Sequence, residues 1–338
     1  MKKIIFYTFF IFVVFPLLYF MYWLNNPIKI SENDFLYNLK DGFSFSKVAY
    51  DLEKENIISK PKLLIFYAKF VGVTSNLKVG TYKFYQGITP SEIISKLRKG
   101  DTEKIKITVP EGLNIYQTAE LLNQYFPTAS KIKWLDLMFS KELIDYLDFD
   151  ASIKNLEGFL FPETYIFDPN LAPKNIVKVF LTEFKKNVNT NMLEEAKKIG
   201  LKPLEYITLA SIVEKETSVD SELQRVAGVY WNRLKIKMKL QADPTVIYGM
   251  WNRYKGNITK KDLLTPTPYN TYTNYGLPPG PIASPGKGAL MATLSPISQD
   301  LYFVAKGDGS HVFSKNLRDH NNAVKNYLIF LRSKKSKE

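Results

Sequence analysis

The sequence predicts an α+β protein: an N-terminal transmembrane helix, a small α/β module, and a larger mixed α+β domain that encloses a buried helix. Three observations carry that expectation. Residues 4–24 are an uncharged aliphatic and aromatic run about as long as a bilayer core is thick. Beyond it, stretches with the apolar spacing of amphipathic helices are interspersed with short strand-like stretches. Residues 204–213 carry apolar side chains all round a helical wheel, the pattern of a helix buried on most sides.

The elements follow in chain order. Lys2 and Lys3 precede the apolar run, which places residues 1–3 in the cytoplasm, residues 4–24 in the membrane and the body outside it. The stretch YFMYWLNNPIKIS offers no small-x-small cleavage site, so a retained single-pass anchor is expected, with Pro16 tolerated within the span. Residues 25–100 form the module. SFSKVAYDLEKENII and KPKLLIFYAKFVGV read as helices and VGTYKFYQG as a strand, while TPSEIISKLRKG is a helix capped before Pro90 and stopped at Gly100. Residues 101–155 read as a continuation and linker, with a strand in KIKITVPEG and a capped helix in NIYQTAELLNQYF.

The larger domain is expected over residues 156–338. It opens at LEGFLFPETYIF, where aromatics and carboxylates crowd round Gly158 and Pro162; a domain junction is the favoured reading and a saccharide groove the other. A helix is expected over 221–234. Asp243 is expected to cap a short helix with Pro244 at its first position, ending at Gly249. The proline-rich segment 264–290, with tyrosines and threonines between the prolines, reads as a long stiff loop of the kind that carries function. LYFVAKGDGSHVFS reads as a hairpin and the residues from Asn316 as a final helix.

Several chemistries are excluded. With no cysteine and only His311 and His320, thiolate sites and cysteine nucleophiles are out, and no HExxH or comparable ligand spacing marks a metal site. GPIASPGKG departs from a phosphate loop in its spacing and lacks the serine or threonine after Lys287. There is no GxSxG elbow and no dinucleotide fingerprint, so no cofactor is expected. The formal net charge of +13 comes from scattered lysines, without a basic stripe interleaved with aromatics. Nucleic acid is therefore not an expected partner; outside a membrane such a surface meets anionic lipid headgroups or an anionic wall polymer.

What remains is carboxylate chemistry at VEKET, residues 213–217. A carboxyl at the end of an apolar helix is desolvated, holds its proton toward neutral pH and can act as a general acid. A solvated helix end is the alternative. Glu214 and Glu216 stand about 200° apart on a helix, so they cannot act as a facing pair. Glycosidic bond cleavage ordinarily takes two carboxyls. One suffices where the sugar's own hydroxyl replaces water as nucleophile, which is lytic transglycosylation.

VEKET at 213–217, LQADPTVIYG at 240–249, TPYNTY at 267–272, GLPPGPIASPG at 276–286 and LEGFLFPETY at 156–165 together resemble the YceG-like family, the endolytic murein transglycosylases. The resemblance extends over nearly the whole chain. It implies a single membrane anchor, a LysM-like module and a C-terminal catalytic domain, hence a single-pass protein of the cytoplasmic membrane with its catalytic body on the extracytoplasmic side. It implies cleavage of the bond between N-acetylmuramic acid and N-acetylglucosamine in nascent peptidoglycan strands, leaving 1,6-anhydro-N-acetylmuramyl ends and ending glycan elongation. The first glutamate of the motif, Glu214, would be the catalytic acid. Glu216 would support it through a hydrogen bond or an ion pair with Lys215 or Arg225, and Gln241, Asp243, Asn270 and Tyr272 would be groove residues. Peptidoglycan synthases are implied partners. A hydrolase using water, with Asp243 or Asp262 as second carboxylate, and a non-catalytic wall-binding scaffold are the alternatives.

Overall fold

The computed structural model describes residues 10–30, 34–74 and 77–335. It is mixed α+β, with many helices and three two-stranded sheets among those residues. Its contacts divide into two compact units, one of Met1–Lys106 with Ile166–Leu171, the other of Ile107–Tyr165 with Ala172–Glu338. The second unit thus begins at Ile107 rather than at the expected boundary of 156, and residues 107–155 are part of its body.

In the first unit, strands β1 (Phe35–Leu39) and β2 (Gly80–Phe84) pair antiparallel, Tyr37 opposite Tyr82 and Leu39 opposite Gly80. Between them run helices Phe45–Lys54 and Pro61–Phe70, and Pro90–Lys99 follows β2. Tyr37, Leu39, Tyr82 and Phe84 meet Val48, Leu52, Leu64 and Leu97 in one apolar core. Helix Pro90–Lys99 is punctuated as expected: Thr89 and Glu92 form a capping box, and Gly100 ends the helix at φ 70°, left-handed backbone that glycine takes without a Cβ penalty. The returning Asp168 accepts bonds from the Thr81 amide at 2.8 Å and hydroxyl at 2.6 Å, which ties residues 166–171 to β2.

The expected anchor over 4–24 lies partly outside the described residues. The described part is a π-helical turn, Phe10–Val14, leading into an α-helix at Phe15–Asn25. Among the described residues no helix is long and apolar enough to cross a membrane. Pro16, placed mid-span by the sequence, sits where the π-helical turn passes into that α-helix, in its first turn. Trp23 and Leu24 are buried in the module core, and Phe20 meets Phe66 and Tyr67 edge-on.

In the second unit, helix Pro203–Glu216 is the central element. Every residue from Tyr206 to Val213 is buried, as the all-round apolar pattern requires. It packs against helices Leu223–Lys235, Lys287–Leu294, Asp243–Gly249 and Thr190–Lys198. The Tyr206 hydroxyl, buried with the ring, donates to the Leu290 carbonyl at 3.0 Å. A cluster of Phe149, Phe159 and Phe184, with centroids 5.0–5.6 Å apart, fixes the LEGFLFPETY segment to helix Pro173–Asn187. The C-terminal hairpin pairs β3 (Tyr302–Ala305) with β4 (His311–Ser314), and helix Leu317–Lys335 ends the described chain.

Candidate active site

Glu214 lies in the last turn of the central helix, partly buried. Its Oε2 accepts the Gly286 amide at 3.0 Å, so the proline-rich segment delivers a backbone donor to the carboxyl. Loop 109–114 closes the other side. There the Lys215 ammonium donates to the Gly112 carbonyl at 3.0 Å, and the Ser284 amide donates to the Leu113 carbonyl at 2.8 Å. A Cβ on Gly286 would meet the Glu111 carboxylate, which would have to move aside. Desolvation raises the Glu214 pKa above the ordinary glutamate value; the Gly286 amide and Lys215 oppose that, while the charges of Glu111 and Asp220 add to it. With Oε2 held by an amide, Oε1 is the oxygen left to carry a proton.

Glu216 faces away from Glu214, as the helical wheel demands, into a second polar cluster. The Tyr230 hydroxyl donates to its Oε1 at 2.5 Å. Burial pushes the Glu216 carboxyl up to about 7, the Tyr230 bond and Arg233 pulling down and Asp243 pushing up. The expected partners are therefore corrected. Lys215 is engaged with Gly112, and Arg225 pairs with Asp300 at 2.9 Å.

Asp243 and Tyr272 belong to this second cluster, the Tyr272 hydroxyl donating to Asp243 Oδ1 at 2.5 Å. Asp243 does not cap its helix; it is the first helical residue, Ala242 holds the cap position, and no side-chain cap bond forms. Gln241 is exposed, in left-handed backbone at φ 49°, with its amide donating to the Thr271 carbonyl at 3.2 Å. Asn270 is a correction too. It is fully buried, its amide nitrogen donates to the carbonyls of Thr265 and Leu263 at 2.8 and 3.1 Å, and its Oδ1 accepts the Tyr272 amide at 2.8 Å. A side chain so buried and engaged holds the TPYNTY turn and does not face a groove.

The structure thus joins Glu216, Asp243 and Tyr272, sets Glu214 on the opposite face of the helix, and withdraws Asn270 from the surface. Asp262, the other carboxylate considered, is bonded to the Thr259 hydroxyl at 2.6 Å and paired with Arg253 at 3.2 Å. The carboxylate beside Glu214 is Glu111, which sequence reasoning passed over because VPEG reads as an ordinary strand end. Among the described residues no group of three or more His, Asp or Glu side chains is arranged to hold a metal ion. A cavity of about 570 Å³ lies along the first turns of the central helix, lined by Leu204, Thr208 and Trp231, and so away from Glu214.

Comparison with known proteins agrees with this architecture. The model of the YceG-like family matches residues 37–326. A Bacillus subtilis (strain 168) protein named endolytic murein transglycosylase is 37% identical over 314 residues, which is 89% of this chain and 86% of that protein. A Streptococcus pneumoniae (strain D39) protein of the same name is 26% identical over 345 residues, 91% of this chain but only 62% of the relative's own length. A crystal structure of a YceG-like protein from Listeria monocytogenes superposes with a TM-score of 0.59 at 33% identity, covering 86% of this chain and 99% of that one. The chain belongs to the YceG-like family.

Proposed function

We infer that this protein is a lytic transglycosylase of peptidoglycan, cutting the bond between N-acetylmuramic acid and N-acetylglucosamine within glycan strands, with Glu214 as the acid. The relatives named endolytic murein transglycosylase support the activity. The observation that carries the residue is the environment of one carboxyl: partly buried, raised by desolvation, one oxygen held by the Gly286 amide and the other free. Protonated Glu214 gives its proton to the glycosidic oxygen through Oε1. The resulting carboxylate then accepts the proton of the muramyl C6 hydroxyl as that oxygen attacks C1, leaving a 1,6-anhydro end. The cycle closes with Glu214 protonated again, so one carboxyl serves both steps.

Glu216, Asp243 and Tyr272 act in this reading as a support behind the helix end, and Gln241, exposed beside them, is the one predicted groove residue with a free amide side chain. The Glu111 carboxylate gives the water-using hydrolase a specific second group. The two readings part on the product: an anhydro end is lighter by one water than a reducing end. Digestion of uncrosslinked glycan followed by mass analysis decides between them.

The membrane anchor, the exported body and a wall-binding module complete the proposal. The apolar run 4–24 behind Lys2 and Lys3 supports the anchor and the orientation. The β1–helix–helix–β2 order of the first unit supports the LysM-like reading. Peptidoglycan synthases remain proposed partners through the shared substrate.

A further inference from the structure

Glu157 opens the motif whose function the catalytic reading leaves unused. It is 1% exposed, and it lines a cavity of about 250 Å³ with Asn155, Phe159, Tyr269 and Pro281. Its Oε2 accepts the Ile115 amide at 3.1 Å at the start of helix Ile115–Tyr125. Its Oε1 forms no well-aligned hydrogen bond, and the Tyr248 hydroxyl and Gly158 amide near the carboxyl only partly offset its burial. Supporting that helix uses one oxygen and leaves the other poorly satisfied, which is unfavourable for a buried polar atom unless a ligand group meets it. Burial pushes the carboxyl up to about 8, so at neutral pH it is mainly a neutral acid with an O–H to donate.

A second cleft of about 420 Å³ adjoins this cavity, sharing Asn155 and Tyr269 as lining. Its wall includes Tyr116 and Trp251, stacked at 5.9 Å between centroids and 13° between planes. Both rings are partly exposed. The floor is backed by Tyr248 and Tyr269, 4.6 Å apart. Gly158 makes the close approach possible: its φ is +85°, and a Cβ there would overlap Pro281. From Pro281 the segment runs on to Gly286 at Glu214. Along the central helix, Leu204 at the cavity and Glu214 are ten residues apart, roughly 15 Å.

We propose that this double cleft is a saccharide subsite remote from the bond-breaking carboxyl, taking one N-acetylated sugar of the strand with its ring against Tyr116 and Trp251 and its acetamido carbonyl toward Glu157. The chemistry matches at each point. Partly exposed aromatic rings pack on pyranose C–H bonds, and a neutral acid donates to an amide carbonyl in a cavity with room for the acetamido group. The subsite measures the strand from Glu214 and so sets where it is cut. This rests on the transglycosylase reading, and the test separates the two.

The full chain and its Trp251→Ala and Tyr116→Ala variants are compared on long uncrosslinked glycan strands and on disaccharide fragments too short to reach the cleft. For the long strands KM rises about tenfold with kcat unchanged and the product lengths redistribute, while the short fragments are cut as before. Equal effects on long and short substrates, or no effect on either, overturn the subsite. In parallel, an N-acetylglucosamine hexamer and its de-N-acetylated counterpart are titrated calorimetrically into the wild-type chain and Trp251→Ala. The subsite requires tighter binding of the acetylated hexamer, weakened about tenfold by the substitution. Equal affinities for the two oligomers overturn it. Should wild type release no anhydro ends, the transglycosylase reading fails while the titration still judges the cleft.

Discussion

The Gly286 amide lies 3.0 Å from Glu214 Oε2, and the space that a Gly286 side chain would fill is occupied by the Glu111 carboxylate. One position therefore supplies the donor on the acid and leaves room for a second carboxylate beside it. Its backbone, at φ −78° and ψ 172°, is open to any residue, and what a side chain there would displace is the flexible end of Glu111.

Glu111 raises the Glu214 pKa through its negative charge. Glu111→Gln removes that charge and lowers the Glu214 pKa. Because turnover needs Glu214 protonated, the alkaline limb of the kcat/KM profile moves to lower pH, while activity at acid pH is kept. Gly286→Ala displaces the flexible Glu111 side chain and moves the limb in the same direction. Complete loss of turnover in Glu111→Gln at every pH would make Glu111 the base of a hydrolase instead.

Tyr230 is 1% exposed and its hydroxyl donates to Glu216 at 2.5 Å. Tyr230→Phe leaves a desolvated carboxyl without that donor. We expect a loss of about 1–3 kcal/mol in urea unfolding. The Glu216 pKa rises further above about 7, since the lost bond was one that held it down. A carbon-detected NMR titration of the Glu216 carboxyl checks the direction.

Asn270→Ala takes away the donor shared by the carbonyls of Thr265 and Leu263 and the acceptor of the Tyr272 amide. Stability should fall by about 2–3 kcal/mol, seen as a lowered thermal midpoint. A groove residue would behave differently, raising KM for glycan with the midpoint unmoved.

Glu157 titrates near 8 in the fold against an ordinary value of 4.5. Between those two values the native state holds a proton that the unfolded chain has released, so stability falls as pH rises from about 4.5 to about 8. Tyr116, Tyr248 and Tyr269 around the carboxyl stay neutral through that window, all three raised by burial. Glu157→Gln should flatten this part of the stability profile measured by denaturant unfolding at successive pH values.

What the sequence disclosed was what is local. The caps at Thr89 and Gly100, the all-round apolar helix that leads to Glu214 and the C-terminal hairpin were legible because each depends on residues within a few positions of one another. Strand β1 was not, since its partner Gly80–Phe84 lies more than forty residues downstream and DFLYNL has no turn signal of its own. Glu111 escaped for the same reason: it meets Glu214 only in space. Asn270 was misplaced by its motif, although an asparagine in a proline-flanked turn is well suited to bonding its own loop backbone. Asp243 looked like a cap because Pro244 follows it, but its carboxylate goes to Tyr272 across the fold.

The most direct test is mass analysis of the products that the full chain and Glu214→Gln release from purified uncrosslinked glycan strands, with circular dichroism to confirm that both are folded. Wild type should yield fragments with 1,6-anhydro-N-acetylmuramyl ends, and the folded variant none. Anhydro fragments from folded Glu214→Gln would remove this carboxyl from the chemistry.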